Sequence, residues 1–275
     1  MVTYVCYPGG LYKCLTLSYD DGKLEDRRLL EILNKNGIKS TFNLNYGIML
    51  NEDHSKVKHP RLELSEINEL YKGHEIATHT CSHPTISRLP ITSVVNEIVE
   101  DRKGLEAITG KIIRGHAYPN GSYNEEIMRL LPSLGIAYAR VVETTGSFNL
   151  PDNPYCWKGT CHHNDPKLMD YARSFAEFSK SQYLKLMYVW GHSYEFADND
   201  NWDVIENFCQ YIGGRDDIWY ATNIEYIDYM QAANNLQFSM DGSLVHNPSA
   251  ISVYLRFSSQ TDIMEIKPRE TLSLK

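Results

Sequence analysis

The sequence predicts an α/β fold in which a closed or nearly closed β/α barrel takes up most of the chain. Two observations lead to this prediction. Short apolar runs alternate with segments of helical periodicity from about residue 14 to residue 233, and they make seven strand-then-helix units. Such repetition is typical of a parallel sheet with helices packed outside it. The chain has 275 residues, enough to bury about three quarters of its unfolded surface around one core.

The predicted elements follow one another in order along the chain. Strands are expected over residues 14–19, 38–45, 75–79, 111–117, 136–142, 183–191 and 218–222. Helices are expected over residues 24–36, 64–72, 92–109, 123–134, 166–182, 202–212 and 224–233. Ser65 is a candidate N-cap of the second helix, and Gly110 ends the third. Residues 143–165 are rich in Asn, Pro, His and Gly and are predicted to form a long loop, a kind of segment that is usually functional or disordered.

The end of the chain departs from this alternation. A tight-turn signal at Asp241-Gly242 and an alternating apolar run over residues 251–257 are typical of β-strands. We therefore expect a barrel over residues 1–235 and a small β appendage over residues 236–275 that packs on it.

Composition argues against several classes of partner. Lys and Arg number 27 against 35 Asp and Glu, a net charge of −8 without a basic run, so nucleic acid and anionic membranes are not expected to bind. No apolar run approaches the roughly 18 residues of a membrane span, and the first residues lack the pattern of a signal peptide, which predicts a cytoplasmic protein. The six cysteines require no disulfide framework; Cys156 and Cys161 alone could pair, although reduced thiols are the simpler interpretation.

Residues at the ends of the predicted strands are the candidates for catalysis, because a β/α barrel has its active site there. Asp20 and Asp21 follow the first strand, and His79 and His83 follow the third. Asp-Asp-Gly also fits an ordinary turn. A carboxylate and two imidazoles together, however, make a three-ligand metal site with open positions. The other carboxylate would then be free to act as a base.

Two further strand ends hold candidate residues. His192 follows the sixth strand and would suit a general acid, although a packed loop histidine is the plain alternative. Tyr118, Pro119 and Asn120 form a turn after the fourth strand, and its backbone N–H groups could stabilise an oxyanion.

These motifs resemble those of the NodB-type polysaccharide deacetylases, carbohydrate esterase family 4. Ser-Tyr-Asp20-Asp21-Gly is similar to the family's T-F-D-D-G motif, and His79-Thr-Cys-Ser-His83 fits its H-[ST]-x-x-H motif. The resemblance covers about residues 12–230 and implies a distorted (β/α)7 barrel. It implies that Asp20 is the catalytic base and that His192 is the catalytic acid. It also implies one divalent metal ion, held by Asp21, His79 and His83.

The family's third motif, R-x-P-[YFW]-G, is incomplete in this sequence. Aligning its Pro and Gly with those of Tyr118-Pro-Asn120-Gly places Ala117 where the family has an Arg that pairs with the base. Arg114 comes three residues too early and would face the other side of its strand. We therefore predict that Arg140, on the fifth strand, takes the place of the missing Arg. The backbone N–H of Asn120 would be the oxyanion donor.

The family's fourth motif, an Asp with a nearby Trp, has no clear match. Trp157 and Trp190 are predicted to line the substrate groove, because aromatic faces pack against sugar rings; loop aromatics are as often internal. His162 and His163 could hold a second metal ion, although adjacent histidines rarely both bind one ion.

Two carboxylates after the sixth and seventh strands have open roles. Glu195 and Glu225 could bind hydroxyl groups or support His192, and ordinary surface positions are an equal alternative.

The sequence therefore predicts a metal-dependent hydrolase that removes acetyl groups from an N-acetylated sugar or polysaccharide. Zn²⁺ is expected, and the same ligands would take Co²⁺ or Ni²⁺. Asp20 would take a proton from the attacking water, and His192 would protonate the departing amine. Two alternatives stay open. One is a hydrolase of a small amide or an O-acetyl ester on the same barrel, and the other is a catalytically silent carbohydrate-binding descendant.

Overall fold

Strands and helices alternate through most of the chain in the computed structural model, which describes residues 3–257 and 263–274. The strands are β1 (Thr3–Cys6), β2 (Lys13–Asp20), β3 (Thr41–Leu44), β4 (Glu75–Thr78), β5 (Gly115–Ala117), β6 (Tyr138–Thr144), β7 (Trp157–Gly159), β8 (Cys161–His162), β9 (Lys185–Gly191), β10 (Ile218–Tyr220), β11 (Gln237–Phe238), β12 (Leu244–His246), β13 (Val253–Phe257), β14 (Ile263–Ile266) and β15 (Thr271–Ser273). The α-helices are α1 (Asp26–Lys35), α2 (Tyr46–Asn51), α3 (Ile67–Leu70), α4 (Ile91–Thr109), α5 (Glu125–Leu130), α6 (Leu168–Ala176), α7 (Tyr194–Asp198), α8 (Trp202–Ile212) and α9 (Asn223–Asn234). Short 3-10 helices span Pro8–Gly10, His54–Lys56, Leu64–Glu66, Ile86–Arg88, Pro119–Gly121, Leu131–Leu134 and Pro154–Cys156.

A nearly closed parallel barrel forms from eight strands in the order β7-β6-β5-β4-β3-β2-β9-β8. Strand β7 pairs with β6, and β8 pairs with β9. Since β7 and β8 are consecutive, they act as one interrupted strand that closes the seam and leaves seven positions around the barrel. Strand β10 lies off this path and pairs with the first three residues of β2. The predicted β/α barrel is confirmed.

The two faces of β2 show why polar side chains occupy the barrel interior. Leu15, Leu17 and Tyr19 face outward into the core that also contains the leucines of α1. The alternate side chains, Thr16 and Ser18, hydrogen-bond to other polar groups inside the barrel. A strand with period-two alternation is therefore buried on both faces.

Three local predictions need correction. Ser65 is not an N-cap; Glu63 caps that turn in a reciprocal capping box with Glu66. The predicted loop over residues 143–165 contains β7 and β8, because its backbone fills the seam between β6 and β9. The short helices α2 and α7 arise in segments for which no helix is expected.

The end of the chain forms two small antiparallel sheets, β1-β13-β14 and β11-β12-β15. They share a core of buried apolar side chains, which are Val245, Leu255, Phe257, Ile266 and Leu274. Strand β1 comes from the first residues of the chain and pairs with β13, so this β unit also uses residues from before the barrel. The division of the chain at residue 235 stays a prediction.

The six cysteines all fall within the described ranges and are free thiols there, in line with the simpler interpretation of the sequence. Among the helices of the described residues, none combines the length and the apolar character that crossing a bilayer requires.

Candidate active site

Four of the predicted site residues meet at one end of the barrel. Asp20 is the last residue of β2 and Asp21 is the next, whereas His79 directly follows β4 and His192 directly follows β9. The carboxyl ends of parallel strands lie at the same edge, which is where β/α barrels have their active sites.

The backbone around these residues is strained. Asp21, Thr80, His83 and Asn120 have φ angles of 80°, 63°, 56° and 56°. The left-handed region costs a non-glycine residue of the order of 1 kcal/mol or more, and such strain clusters at functional sites. The turns that carry the predicted ligands and the oxyanion donor are therefore held by their surroundings in unfavourable conformations.

The three predicted metal ligands lie together. One donor atom from each of Asp21, His79 and His83 lies within 4.8 Å of the other two. His79 Nδ1 is 2.8 Å from the carbonyl oxygen of Ala117; since a carbonyl only accepts, Nδ1 carries the proton and Nε2 keeps its lone pair. One carboxylate and two imidazoles, one of them oriented by a backbone carbonyl, fit a catalytic divalent metal.

Arg61 supports Asp21 from the segment after α2. Its Nη2 lies 3.2 Å from Asp21 Oδ1, and Glu52 accepts from its Nη1 at 2.7 Å. Burial alone would raise the pKa of Asp21, but His79 and Arg61 hold that pKa below its ordinary value. Sequence reasoning missed Arg61, because the segment that carries it has no motif.

A second supporting carboxylate holds the backbone of His79. Asp101 of α4 is fully buried and accepts from the N–H of His79 at 2.9 Å and from that of Tyr46 at 2.6 Å. A hydrophobic helix face gives no signal that one of its residues reaches a strand end, so this role was also missed.

Asp20 lies in the buried centre of the site. Arg140 Nη2 donates to both carboxylate oxygens, and Asn43 Nδ2 donates to Oδ1 at 2.8 Å. The Nε2 atoms of His79 and His192 lie 3.9 and 3.7 Å from Oδ2. Burial alone would raise the pKa of Asp20, but the charge of Arg140, with His79 and His192, holds it well below its ordinary value. Asp20 is therefore an ionised acceptor.

Arg140 contacts Asp20 from the strand next to the one that carries Ala117. Strand β6 lies beside β5 with Arg140 in register with Ala117, so its guanidinium enters the site from the neighbouring strand. The ring of Trp190 lies 4.7 Å from the Arg140 guanidinium carbon. Arg114, in contrast, pairs with Asp228 and does not contact Asp20.

His192 pairs with Glu195, one turn further along at the start of α7. His192 Nδ1 lies 3.0 Å from Glu195 Oε1. Burial alone would lower the pKa of His192, but the hydrogen bond to Glu195 and the charge of Asp20 raise it above its ordinary value. Glu195 also forms a second group with His162 and His163, again within 4.8 Å.

Several predicted residues lie elsewhere than expected. Trp157 is only 1 % exposed and packs against Tyr138 and Tyr188 inside the barrel, so it does not line a groove; it closes the seam as part of β7. The side chain of Tyr118 is buried outside the barrel, with its hydroxyl donating to the Tyr155 carbonyl. Glu225 caps α9 and pairs with a lysine instead of facing the site.

The remaining turn and groove residues differ in exposure. Asn120 is exposed, whereas Pro119 beside it is buried. Trp190 is 8 % exposed and packs edge-on against His162 at 4.5 Å. Only a narrow strip of this indole therefore faces outward.

The model of the polysaccharide deacetylase family matches residues 2–139, half of the chain. The chain belongs to the polysaccharide deacetylase family. The matched range includes both strand-end motifs and ends one residue before Arg140, so the family model does not cover Arg140, His192 or Glu195 in this chain.

One curated relative matches less than half of this chain. A chitin deacetylase from a Pestalotiopsis species is 29% identical over 123 residues, which make up 43% of this chain and 38% of that protein. The chain thus spans little more than a third of the curated relative that it matches.

Solved structures share the fold at low identity. A Mycobacterium smegmatis protein assigned to the polysaccharide deacetylases has a TM-score of 0.58 at 15% identity, and the match covers 85% of this chain and 95% of that protein. A family 4 carbohydrate esterase from Streptomyces lividans, in complex with acetate, has a TM-score of 0.51 at 13% identity, and the match covers 77% of this chain and 93% of the esterase. A family 4 pseudoenzyme from Bacillus anthracis has a TM-score of 0.50 at 16% identity, covering 82% and 68%. Since one fold includes an esterase and a pseudoenzyme, activity depends on the side chains of the site and not on the fold.

Proposed function

We propose that this protein is a metal-dependent deacetylase that hydrolyses the acetyl group of an N-acetylated sugar or polysaccharide. One observation carries the proposal. An ionised, buried Asp20 lies between the group formed by Asp21, His79 and His83 and the imidazole of His192. The residues that we propose as the base, the metal ligands and the acid are therefore neighbours.

Asp21, His79 and His83 would hold the cation, with Zn²⁺ the expected ion and Co²⁺ or Ni²⁺ compatible with the same donors. When bound there, a divalent cation supplies a Lewis acid that polarises the acetyl carbonyl and makes water more acidic. Asp21 is kept ionised by Arg61, and His79 keeps its Nε2 lone pair toward the site because Ala117 holds Nδ1.

Asp20 would act as the general base. Its carboxylate accepts the proton of a water molecule as that oxygen attacks the acetyl carbon. Arg140 and Asn43 hold the carboxylate in place and keep it ionised before the reaction. A fixed acceptor lowers the reorganisation needed in the transition state.

The turn at Asn120 and the imidazole of His192 would complete the reaction. As the carbonyl oxygen gains negative charge, the N–H of Asn120 donates to it, a contact worth about 3 kcal/mol of barrier in known cases. The C–N bond then breaks while His192 donates the proton on Nε2 to the leaving nitrogen. Acetate and the free amine are the products.

The curated relative supports an amino-sugar substrate, since it is a chitin deacetylase. The net charge of −8 suits a neutral N-acetylated sugar better than a strongly anionic polymer. A silent carbohydrate-binding descendant is disfavoured, because Asp20 and Arg140 remain a buried ion pair that a binding module would not need.

The test is acetate release from a panel of N-acetylated and O-acetylated saccharides and small acetamides, with metal added or chelated. We expect turnover of an N-acetylated saccharide that chelation abolishes and that Asp20→Asn lowers by about 10²–10⁴-fold. Asp170→Asn, an exposed position on α6, is the matched control and should match the wild type. Turnover that withstands chelation, or metal binding without turnover of any substrate, would contradict the proposal.

A further inference from the structure

The carboxylate of Glu195 contacts four side-chain nitrogen atoms, none of which takes part in the reaction proposed above. His192 Nδ1 lies 3.0 Å from Oε1, and Asn164 Nδ2 donates to Oε2 at 2.9 Å. The Nε2 atoms of His163 and His162 lie 2.9 and 3.3 Å from Oε2, as close polar contacts off the line of an ideal hydrogen bond. The two oxygens of this carboxylate therefore divide their partners: one contacts His192, and the other contacts residues 162–164.

The protonation of His162 follows from its backbone surroundings. The backbone N–H of Asn164 donates to His162 Nδ1 at 3.1 Å. Because Nδ1 is an acceptor, Nε2 carries the proton of the neutral ring and faces Glu195. Burial lowers the pKa of His162 to about 4, which keeps the ring neutral at ordinary pH. A proton on Nε2 suits a carboxylate partner and not a cation, so these contacts favour an anionic Glu195 over a second metal ion.

His163 is held in this group by tight packing. Its ring is fully buried and stacks between Phe196 at 4.1 Å and Tyr19 at 5.7 Å. The ring also lies against Gly191, where a Cβ atom would come within 2.1 Å of His163 Nδ1. Gly191 is thus the residue that lets His163 approach the end of β9, immediately before His192.

Strand pairing fixes residues 162–164 relative to the acid. His162 is in register with Trp190 of β9, and the N–H of His163 donates to the Trp190 carbonyl at 2.9 Å. His162 therefore ends the strand next to β9 and His163 directly follows it, just as His192 directly follows β9. The arrangement does not depend on a flexible loop.

We propose that Glu195, held in place by His162, His163 and Asn164, is a positioning residue that fixes the proton of His192 on Nδ1 and turns Nε2 toward the substrate. We call Glu195 and these three residues the Glu195 cluster. The role of His192 as the acid rests on the proposed function, whereas the orientation of its ring rests on the contacts of the Glu195 cluster alone. Nε2 of His192 indeed points toward Asp20, at 3.7 Å.

The charged and titratable side chains that face His192 come from three elements. Asp20 approaches from β2, Glu195 and the ring of Tyr194 from α7, and the ring of His162 from β8, at 6.4 Å between ring centres. Asp20 and Glu195 are the two carboxylates in direct contact with the imidazole. Removing the charge of Glu195 leaves the carboxylates of Asp20 and, further away, Asp21 to favour the protonated ring, so His192 should lose its proton at a lower pH.

The experiment uses Glu195→Gln and His162→Gln, with Glu126→Gln and His246→Gln as controls at positions outside the site. The pH dependence of kcat/KM and the ¹⁵N chemical shifts of the His192 ring are measured for each. We expect Glu195→Gln to move the alkaline limb down by about one pH unit and to lower kcat by about 10–100-fold with little change in KM. His162→Gln should move the alkaline limb in the same direction by a smaller amount, and the two control variants should not move it.

The two readouts separate this proposal from the proposed function. The nitrogen shifts of His192 report its proton position and titration without any substrate. If no acetylated substrate is turned over, the proposed function fails. A His192 ring that titrates at a lower pH in Glu195→Gln than in the wild type would still support the positioning role of Glu195. A folded Glu195→Gln protein with unchanged His192 nitrogen shifts and an unchanged pH profile would overturn the proposal.

Discussion

Two groups of histidines and carboxylates lie at the same end of the barrel, and their hydrogen bonds to the backbone differ. In the first group, Asp21 lies with His79 and His83. In the second group, Glu195 lies with His162 and His163. Each group consists of one carboxylate and two imidazoles, and each brings three donor atoms within 4.8 Å of one another.

The difference lies in what holds Nδ1 of one histidine in each group. A backbone carbonyl accepts from His79 Nδ1, which leaves a lone pair on Nε2. A backbone N–H donates to His162 Nδ1, which leaves a proton on Nε2. A lone pair on Nε2 suits a cation and a proton on Nε2 suits an anion, so we infer that the backbone partner distinguishes the proposed metal ligand His79 from the hydrogen-bond donor His162.

Loss of a ligand in the first group should have the largest effect. We expect His79→Gln to reduce acetate release by ~10³-fold or more, since a bound cation contributes several kcal/mol to the barrier. The matched change in the second group, His162→Gln, should leave at least a tenth of the activity. Steady-state kinetics with saturating Zn²⁺ make the comparison. Equal losses in the two variants would remove the distinction between the groups.

The pairing of Asp20 with Arg140 is expected to have the next largest effect. Arg140→Ala leaves a buried carboxylate without its counter-charge, so the free energy of unfolding should fall by about 3–5 kcal/mol and kcat by about 10²-fold. Metal content should be unchanged. Arg114→Ala breaks a half-exposed pair with Asp228 and should cost about 0–1 kcal/mol.

Urea unfolding and kcat measure both changes. If Arg140→Ala retains wild-type kcat in a folded protein, Arg140 does not replace the Arg that the family motif would supply.

The smallest expected effect is on the pH dependence of stability. The pKa of His162 is lowered by burial to about 4 in the folded chain, against about 6.5 when unfolded. The unfolded state therefore binds more protons between pH 4 and 6.5, and the free energy of unfolding rises with pH over that window, by about 3 kcal/mol at most for this residue.

Replacing this histidine tests that assignment. His162→Gln should unfold with a shallower pH dependence than the wild type, measured with urea on metal-free protein between pH 4 and 6.5. His246→Gln is the control, because His246 lies in the small β unit and contacts Thr271. A wild-type slope in His162→Gln would show that His162 is not held neutral by the fold.

Much of the barrel could be predicted from local pattern. Period-two alternation and helix-ending glycines are local signals, and β2 and α8 lie where they were expected. Strands β7 and β8 could not be predicted in this way, because three and two residues carry too little periodicity. Their structure comes from filling the seam between β6 and β9.

The site shows the same division between local and long-range information. Asp20, Asp21, His79 and His83 occur in two short motifs, so sequence alone could bring them together. Arg140 was predicted from topology, which is a weaker guide.

Arg61 and Asp101 reach the site only through the fold, and neither stands in a motif. Trp157 was predicted at the groove from its residue type, but burial in the seam decided its position.

The most direct test of the contrast between the two groups is the number of metal ions bound per chain. Wild-type protein, His79→Gln and His162→Gln would be equilibrated with Zn²⁺, passed through a desalting column and measured by mass spectrometry of the metal and by amino-acid analysis. The account predicts one ion in the wild type, none in His79→Gln and one in His162→Gln. Two ions in the wild type that fall to one in His162→Gln, or an ion retained in His79→Gln, would contradict it.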